Sequence, residues 1–226
     1  VGNDTLGTLT VHGHGGSNSA AALDTTAAGD LWDNTLINTT AALSTRKAPI
    51  ASTSGDNLMV YSLPTLVDGL AVAGSYQAAN TTGSGSTAFG ATYSGIEGLS
   101  LSYGQGSSDD VKDIAGDQTI MKASYAYGPI TVAASNNDFD HTTSTIDQEV
   151  SSVSLSYTVS DQISVSYGEE TIDRSGSASD IEVNGVSISY TSGGMTASFA
   201  QVEAENVDHT AGLDKEVWNI GLSFAF

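Results

Sequence analysis

Residues 152–159 read Ser-Val-Ser-Leu-Ser-Tyr-Thr-Val, so hydroxyl-bearing and apolar side chains alternate with a period of two. Successive side chains of a β-strand point to opposite faces of a sheet, so this stretch predicts a strand with one apolar and one hydroxylic face. The same alternation recurs from about residue 57 to the end and predicts eleven strands there, while residues 4–12 predict a twelfth. The chain is therefore expected to be all-β.

The connections between the predicted strands alternate in length. The short connections are 94–98, 128–129, 160–161 and 192–194. The long connections are roughly 77–86, 105–117, 135–147, 168–181 and 203–213. This alternation predicts an up-and-down antiparallel array, with tight turns at one end of the strands and long loops at the other.

Aromatic residues lie at the same level in several of these strands. Four tyrosines stand close to short turns, and the last strand carries a tryptophan and a terminal phenylalanine: Tyr93, Tyr127, Tyr157, Tyr190, Trp218 and Phe226. A ring with an apolar body and a polar tip suits a membrane interface. The row of tyrosines and the hairpin asymmetry favour a transmembrane β-barrel with its apolar face on lipid over a soluble sandwich.

The composition excludes several classes of function. The chain has 226 residues, a formal net charge of −20 and no cysteine. The absence of cysteine excludes disulfides and thiolate metal sites, and the negative charge makes nucleic-acid binding improbable. No run of about 18 apolar residues predicts a helical membrane span. Because no nucleophile and base stand in a catalytic pattern, the sequence does not predict an enzyme.

One irregular segment interrupts the hairpin array. We expect residues 1–226 to form a single β-barrel domain, with a strand at 1–12, a long loop at 13–56 and hairpins from 57 to the C-terminal Phe226. Connections longer than about 12–15 residues are usually functional or disordered. The segment 13–56 is therefore the part of the chain most expected to carry function.

Three stretches of sequence resemble the general porins of Gram-negative outer membranes, which are trimeric barrels of sixteen strands. These are Val67 to Tyr76, Gly90 to Gly104, and the final strand Val217 to Phe226. The resemblance aligns this chain with strands 5–16 of that family and places 13–56 where porins fold a long loop into the lumen. It implies a homotrimer in the outer membrane, in contact with lipid and lipopolysaccharide, that lets ions and small hydrophilic solutes diffuse passively.

The first four strands of the family have no counterpart in this sequence. Two interpretations stay open at this point. A separate N-terminal portion supplies the missing strands, or the chain closes as a compact barrel of about twelve strands, which is an even number. The correspondence of the loops with the family favours the first, since open sheet edges do not face lipid.

The resemblance also implies a set of pore-lining charges. Asp24, Asp30 and Asp33 on the long loop are expected at the constriction, opposite basic side chains on the wall. His14 stands near a position where related porins place an arginine, and Lys122 is out of phase with its apolar neighbours and so points inward. Because basic side chains are few and acidic ones many, we expect the pore to prefer positively charged ions.

Acidic clusters on the predicted loops suggest further chemistry. Asp109, Asp110, Asp113 and Asp117 offer oxygen ligands for Ca²⁺, or for divalent ions that bridge to lipopolysaccharide, and no other cofactor is expected. Their spacing matches no calcium-loop motif, so a solvated loop is the simpler interpretation. The alternative to a porin is an acidic structural or adhesive surface protein that binds divalent cations or partners without a pore.

Overall fold

The structure is a computed structural model that describes residues 2–3, 5–33, 56–79, 85–109, 115–142 and 147–225. The described strands are β1 (Gly2–Asn3), β2 (Gly7–His12), β3 (Leu58–Ser62), β4 (Leu70–Gln77), β5 (Ser86–Tyr93), β6 (Leu99–Ser108), β7 (Gly116–Tyr127), β8 (Ile130–His141), β9 (Gln148–Ser160), β10 (Ile163–Arg174), β11 (Ile181–Ser192), β12 (Met195–Glu205) and β13 (Lys215–Phe224). Short 3₁₀ helices span Ala21–Leu23, Leu31–Asp33 and Val207–His209. Within the described ranges, no helix has the length and apolarity that crossing a membrane requires.

The strands form one antiparallel sheet in which the spatial order follows the chain order from β1 to β13. Each strand pairs antiparallel with the next, as the period-two alternation predicts, and the long segment 13–57 joins β2 to β3. The short connections join β5 to β6, β7 to β8, β9 to β10 and β11 to β12. The all-β, up-and-down prediction is confirmed, with long loops at the opposite end.

The beginning of the chain differs from the prediction. Residues 1–12 were expected to form one strand, but a tight turn divides them into β1 and β2. The side-chain oxygen of Asn3 accepts hydrogen bonds from the amides of Thr5 (3.0 Å) and Leu6 (2.6 Å), and Gly7 follows with a φ of +80°. An asparagine that bonds amides two and three residues ahead closes a turn. The sheet therefore has thirteen described strands rather than about twelve.

Several strands run further toward the long loops than the apolar alternation predicts. β8 continues to His141 and β10 to Arg174, so most of the loop expected at 135–147 and half of that at 168–181 is strand. Asp138 still pairs with Glu149 across β8 and β9. Near the long loops the outward side chains of these strands are polar. The apolar alternation in the sequence therefore ends several residues before the backbone hydrogen bonding of the strands does.

The two faces of the sheet have opposite polarity. Large apolar side chains are exposed on the outer face, where Leu155 is 46% and Val132 also 46% accessible. The inner face carries hydroxyls that bond one another, such as Ser164 with Ser189 (2.7 Å). Lipid favours an apolar exterior and water a polar interior, so this arrangement is that of a transmembrane barrel.

A small apolar cluster interrupts the polar interior near the long loops. It is formed by inward side chains of β9 to β12 and by Val207 from the loop after β12, and Leu31, Trp32 and Val217 pack against it. The buried members are Val150, Ile172, Ile181, Val183, Val202, Ala204 and Val207. This cluster provides an apolar seat for the part of the long loop that carries Leu31 and Trp32.

Candidate pore constriction

Residues 18–32, here called the inner loop, lie against the inner face of the sheet. The loop starts at Asn18, whose side-chain oxygen accepts hydrogen bonds from the amides of Ala20 (3.0 Å) and Ala21 (2.7 Å) and so begins a 3₁₀ turn. Asn18, Ser19 and Ala20 are buried, and the Ser19 amide donates to the hydroxyl of Ser75 on β4 (2.9 Å). The loop is therefore anchored to the wall from its first residues.

Glycines on the wall let the inner loop approach the backbone of the strands. A Cβ atom at Gly90 on β5 would lie 2.2 Å from the carbonyl oxygen of Ser19. A Cβ atom at Gly168 on β10 would lie 2.8 Å from the Cβ of Ala28. Real Cβ atoms do not approach other atoms so closely, so the loop occupies space that only glycine leaves open.

Two inward side chains hold the middle of the inner loop by its carbonyl groups. The Lys122 ammonium on β7 donates to the Thr25 carbonyl (2.8 Å). The Asn137 amide on β8 donates to the Asp24 carbonyl (2.5 Å). Lys122 therefore lies beside the loop and does not face it across the lumen, which differs from the expectation of a wall cation opposite the acids.

Serine hydroxyls of the wall bind the next two residues. Ser135 and Ser152 accept hydrogen bonds from the amides of Ala27 (2.8 Å) and Ala28 (3.1 Å). The Ser154 hydroxyl donates to the carbonyl of Ala27 (2.8 Å). The inner loop thus uses its main chain as an additional partner for the inner faces of β8 and β9.

Glu170 on β10 holds the last part of the inner loop. Its side chain is 1% exposed and accepts hydrogen bonds from the hydroxyl of Thr26 and from the amide of Trp32 (2.9 Å). Thr26 and Asp30 also bond each other twice, because each amide donates to the other side chain at 2.8 Å. Asp30 has a φ of 57°, a conformation that aspartate tolerates better than most residues.

These contacts run in order from β4 to β11. The inner loop touches the first of these strands through Ser19 and the last through Leu31, which packs where Gly185 of β11 leaves space. A segment of fifteen residues thus follows the inner face across eight consecutive strands. The loop therefore narrows the space that the curved sheet encloses.

The charges of the inner loop cluster near its middle. Burial raises the pKa of Asp24 from 3.8 to about 6, and the neighbouring charge of Asp30 raises it as well, while Lys122 acts in the opposite direction. A carboxyl group with a pKa near 6 changes its charge close to neutral pH. Asp24, Asp30 and Lys122 thus form a compact group of charges on one side of the lumen.

The other predicted constriction residues lie elsewhere or outside the described part. His14 is exposed at the base of the loop, and its Nδ1 atom lies 2.6 Å from Oδ1 of Asp56, just before β3. Asp33 ends the second 3₁₀ helix, and its side chain is not among those the structure describes. The structure therefore brings together three of the five predicted residues, and their role in selection stays a prediction.

The predicted interface aromatics lie on the outer face wherever they are described. Tyr127, Tyr157 and Tyr190 are exposed near the short turns, and Tyr93 is half-buried at the end of β5. Trp218 is exposed near the other end of its strand, where it pairs with Gln201, and its ring contacts that of Phe199 in a tilted arrangement with the centroids 5.2 Å apart. Phe226 lies outside the described residues, and contact of these rings with a membrane interface stays a prediction.

The predicted calcium ligands are only partly described. Asp109 directly follows β6 and Asp117 lies in β7, while Asp110 and Asp113 fall in the undescribed segment 110–114. Among the described residues, no three His, Asp or Glu side chains are grouped closely enough to hold a metal ion. A calcium site on this loop stays a prediction.

Sequence reasoning missed Glu170 and Asn137 as partners of the loop. Each continues the inward phase of its strand, Glu170 after Ser164 and Ser166, and Asn137 after Ser135. The phase signals that both point into the lumen. Their partners are more than a hundred residues away in the chain, so the alternation alone does not identify them.

Comparisons with known proteins agree with this architecture. The family model described as Gram-negative porin matches residues 5–210. A porin refined at 1.8 Å resolution is 17% identical with a TM-score of 0.60, over 75% of this chain and 61% of its own length. Outer-membrane expressed OmpT of Vibrio cholerae is 13% identical with a TM-score of 0.62, over 97% of this chain and 77% of its own.

A trimer form of in-vitro folded Vibrio cholerae OmpT is 16% identical with a TM-score of 0.60, over 96% of this chain and 76% of its own. No curated protein sequence matches the chain significantly. At these identities the solved structures show the fold alone, whereas the family match covers most of the sequence. The chain belongs to the Gram-negative porin family of outer-membrane β-barrels.

Proposed function

We propose that the chain forms a water-filled channel through which ions and small hydrophilic solutes diffuse passively. The observation that carries this proposal is the inner loop, which lies inside a sheet whose outer face is apolar and whose inner face is hydroxylic. A loop held on the lumen wall narrows the passage and sets a size limit without binding any one solute tightly. Membership of the porin family favours a channel over an enzyme.

We further propose that the channel prefers cations. Asp24 and Asp30 place carboxylates on the inner loop, while the nearby ammonium of Lys122 is bonded to the carbonyl of Thr25. The chain as a whole has 26 acidic and 6 basic residues. Fixed charges of one sign in a narrow passage raise the local concentration of ions of the other sign.

The assembly of the channel is also a proposal. One solved relative is a trimer form, which supports a homotrimer for this chain. The exposed apolar face fits outer-membrane lipid, and outward acids beyond it, such as Glu182 and Glu203, suit divalent ions that bridge to lipopolysaccharide. Calcium bound on the 109–117 loop belongs to the same proposal.

Closure of the barrel requires partners for both sheet edges. Among the described residues, β1 pairs only with β2 and β13 only with β12. Strand edges in lipid need partners for their amides and carbonyls, because no water reaches them. We propose, from the resemblance of this chain to strands 5–16 of the porins, that a separate N-terminal portion supplies further strands of the barrel.

Conductance across a planar bilayer tests the channel. Purified protein in detergent is added to one side, and the reversal potential is measured under a KCl gradient. Stepwise openings with a potential of the sign for K⁺ preference would support the proposal. Silent bilayers, from protein whose far-UV spectrum shows intact strands and whose vesicle insertion is verified, would contradict it.

A further inference from the structure

Glu170 is the least exposed carboxylate among the described residues, and it faces the inner loop. It lies on β10 with 1% of its surface exposed, whereas its neighbour Glu169 is exposed on the outer face. Burying a carboxylate is costly unless its oxygens are bonded. Both oxygens of Glu170 are bonded, one to the hydroxyl of Thr26 and the other to the amide of Trp32.

The Thr26 hydroxyl connects Glu170 to Asp30. While it donates to Glu170, the same hydroxyl accepts a hydrogen bond from the Asp30 amide (2.8 Å). The Asp30 side chain returns a bond by accepting from the amide of Thr26 (2.8 Å). The position of the Asp30 carboxylate is thus fixed through one side chain to a buried group of the wall.

We propose that Glu170, acting through Thr26, is the positioning residue that sets where the inner loop holds the selecting carboxylate of Asp30. This inference rests on the proposed channel function and deepens it, because it names what determines the cation preference. Glu170 itself does not contact the permeating ion. It fixes Asp30 through Thr26, whereas Asn137 and Lys122 hold the chain at Asp24 and Thr25.

Glu170 is one of several wall groups that hold the loop near Thr26. Ser152 and Ser154 bond the main chain of Ala28 and Ala27, and Ala28 and Leu31 make close contacts at Gly168 and Gly185. The bonds of Thr26 and Trp32 to Glu170 act on the segment from Asp30 to Trp32 in addition. Loss of these bonds should let this segment turn and expose the Trp32 ring more to water.

The test compares four variants in the bilayer assay: Glu170→Ala, Glu170→Gln, Thr26→Val and Thr26→Ser. Moving a carboxylate from about 4 to about 8 Å from an ion in water weakens its attraction for K⁺ and its repulsion of Cl⁻ by about twofold each. We expect Glu170→Ala and Thr26→Val to lower the K⁺/Cl⁻ permeability ratio by up to about fivefold. Thr26→Ser and Glu170→Gln, which keep groups able to bond, should remain close to wild type.

Two controls separate positioning from charge and from folding. Glu169→Gln makes the same chemical change at the adjacent outward position and should leave the ratio unchanged. If Glu170→Gln lowers the ratio as much as Glu170→Ala, the charge of Glu170 acts directly and the positioning role is wrong. Thr26→Val provides the test if Glu170→Ala fails to fold, since it removes only the connecting hydroxyl.

A second readout does not depend on conduction. The chain has two tryptophans, so a Trp218→Phe background leaves Trp32 as the reporter of the inner loop. We expect Glu170→Ala to shift the Trp32 emission to longer wavelength because the Trp32 amide loses its anchor, and Thr26→Val to shift it less, because this variant loses the Thr26 bond to Glu170 but keeps the Trp32 bond. An unchanged emission in both variants would overturn the inference even if the channel conducts. If the wild-type protein forms no channels in the bilayer, the proposed function is wrong. The Trp32 emission of the variants would still test whether Glu170 positions the inner loop.

Discussion

The ammonium group of Lys122 donates a 2.8 Å hydrogen bond to the main-chain carbonyl of Thr25, one residue after Asp24. A wall cation is therefore joined to the loop that carries the acids. The positive charge and the carboxylates lie on the same side of the lumen. The Lys122 charge therefore offsets part of the negative charge of Asp24 and Asp30, and its hydrogen bond holds the loop on the wall.

Titration of Asp24 should change the selectivity of the channel near neutral pH. Its pKa is raised from 3.8 to about 6 by burial and by Asp30, so the carboxyl group gains its proton as the pH falls through about 6. We expect the K⁺/Cl⁻ permeability ratio to fall between pH 8 and pH 5, with a midpoint near 6. Asp24→Asn should remove this step, and Asp161→Asn in a short turn should keep it. A step of equal size in Asp24→Asn would assign the titration to another group.

Removal of the Lys122 charge should move the same titration. Lys122 lowers the pKa of Asp24, so in Lys122→Met the midpoint should shift above the wild-type value. At pH 8 the carboxylates are ionised and one cation is missing, so the preference for K⁺ should increase. Reversal potentials measured from pH 5 to pH 8 give both quantities. A midpoint displaced to lower pH would contradict the contact between these charges.

Wall glycines should be intolerant of a single methyl group where the inner loop lies. In Gly90→Ala the new Cβ atom would lie 2.2 Å from the Ser19 carbonyl oxygen, and overpacking of this kind costs about 1–3 kcal/mol. We expect Gly90→Ala to lower the melting temperature of the protein in detergent. We also expect its single-channel conductance to be larger and noisier than that of the wild type. Gly74→Ala is the matched control, because the nearest atom to its Cβ is 3.9 Å away. Equal behaviour of both variants would argue against close docking of the loop.

The polarity of the two faces predicts opposite effects of arginine at adjacent positions. Leu155 is exposed on the outer face and the neighbouring Ser156 points inward. Leu155→Arg should reduce folding into lipid vesicles, at a cost of about 2–4 kcal/mol if it lies near the membrane midplane. Ser156→Arg should fold and shift the preference toward anions. The folding yield in vesicles and the reversal potential are measured for both variants. If Ser156→Arg failed to fold and Leu155→Arg folded and changed the ion preference, the assignment of the inner and outer faces would be wrong.

The strands and their order could be predicted from the sequence because the side chains of each strand alternate in polarity between the apolar outer face and the polar inner face. Leu155 and Ser156 differ in polarity since one faces outward and the other inward, and this contrast repeats along the array. The alternation predicts less where polarity changes within a strand. Val150 and Ile172 stand at inward positions, in phase with the serines of their strands, but they are apolar and belong to the apolar cluster near the long loops.

The constriction could be predicted only in outline. The long irregular connection indicated which part of the chain would carry the inner loop, and the resemblance to porins singled out Asp24 and Asp30 within it. Its partners do not follow from local pattern, because the contact between Thr26 and Glu170 joins residues 144 positions apart. The turn at Asn3 was also missed, since Leu6, Thr8 and Thr10 continue an alternation that hides the break before Gly7.

The distance along the chain between the inner loop and its anchors has a consequence for the order of folding. The loop precedes β3, but its clamp on β10 is made more than a hundred residues later. Contacts of such high sequence separation form late, because the intervening chain must first be ordered. The strands before β10 can therefore pair while the inner loop is still undocked. The loop takes its final position only after most of the surrounding sheet has formed.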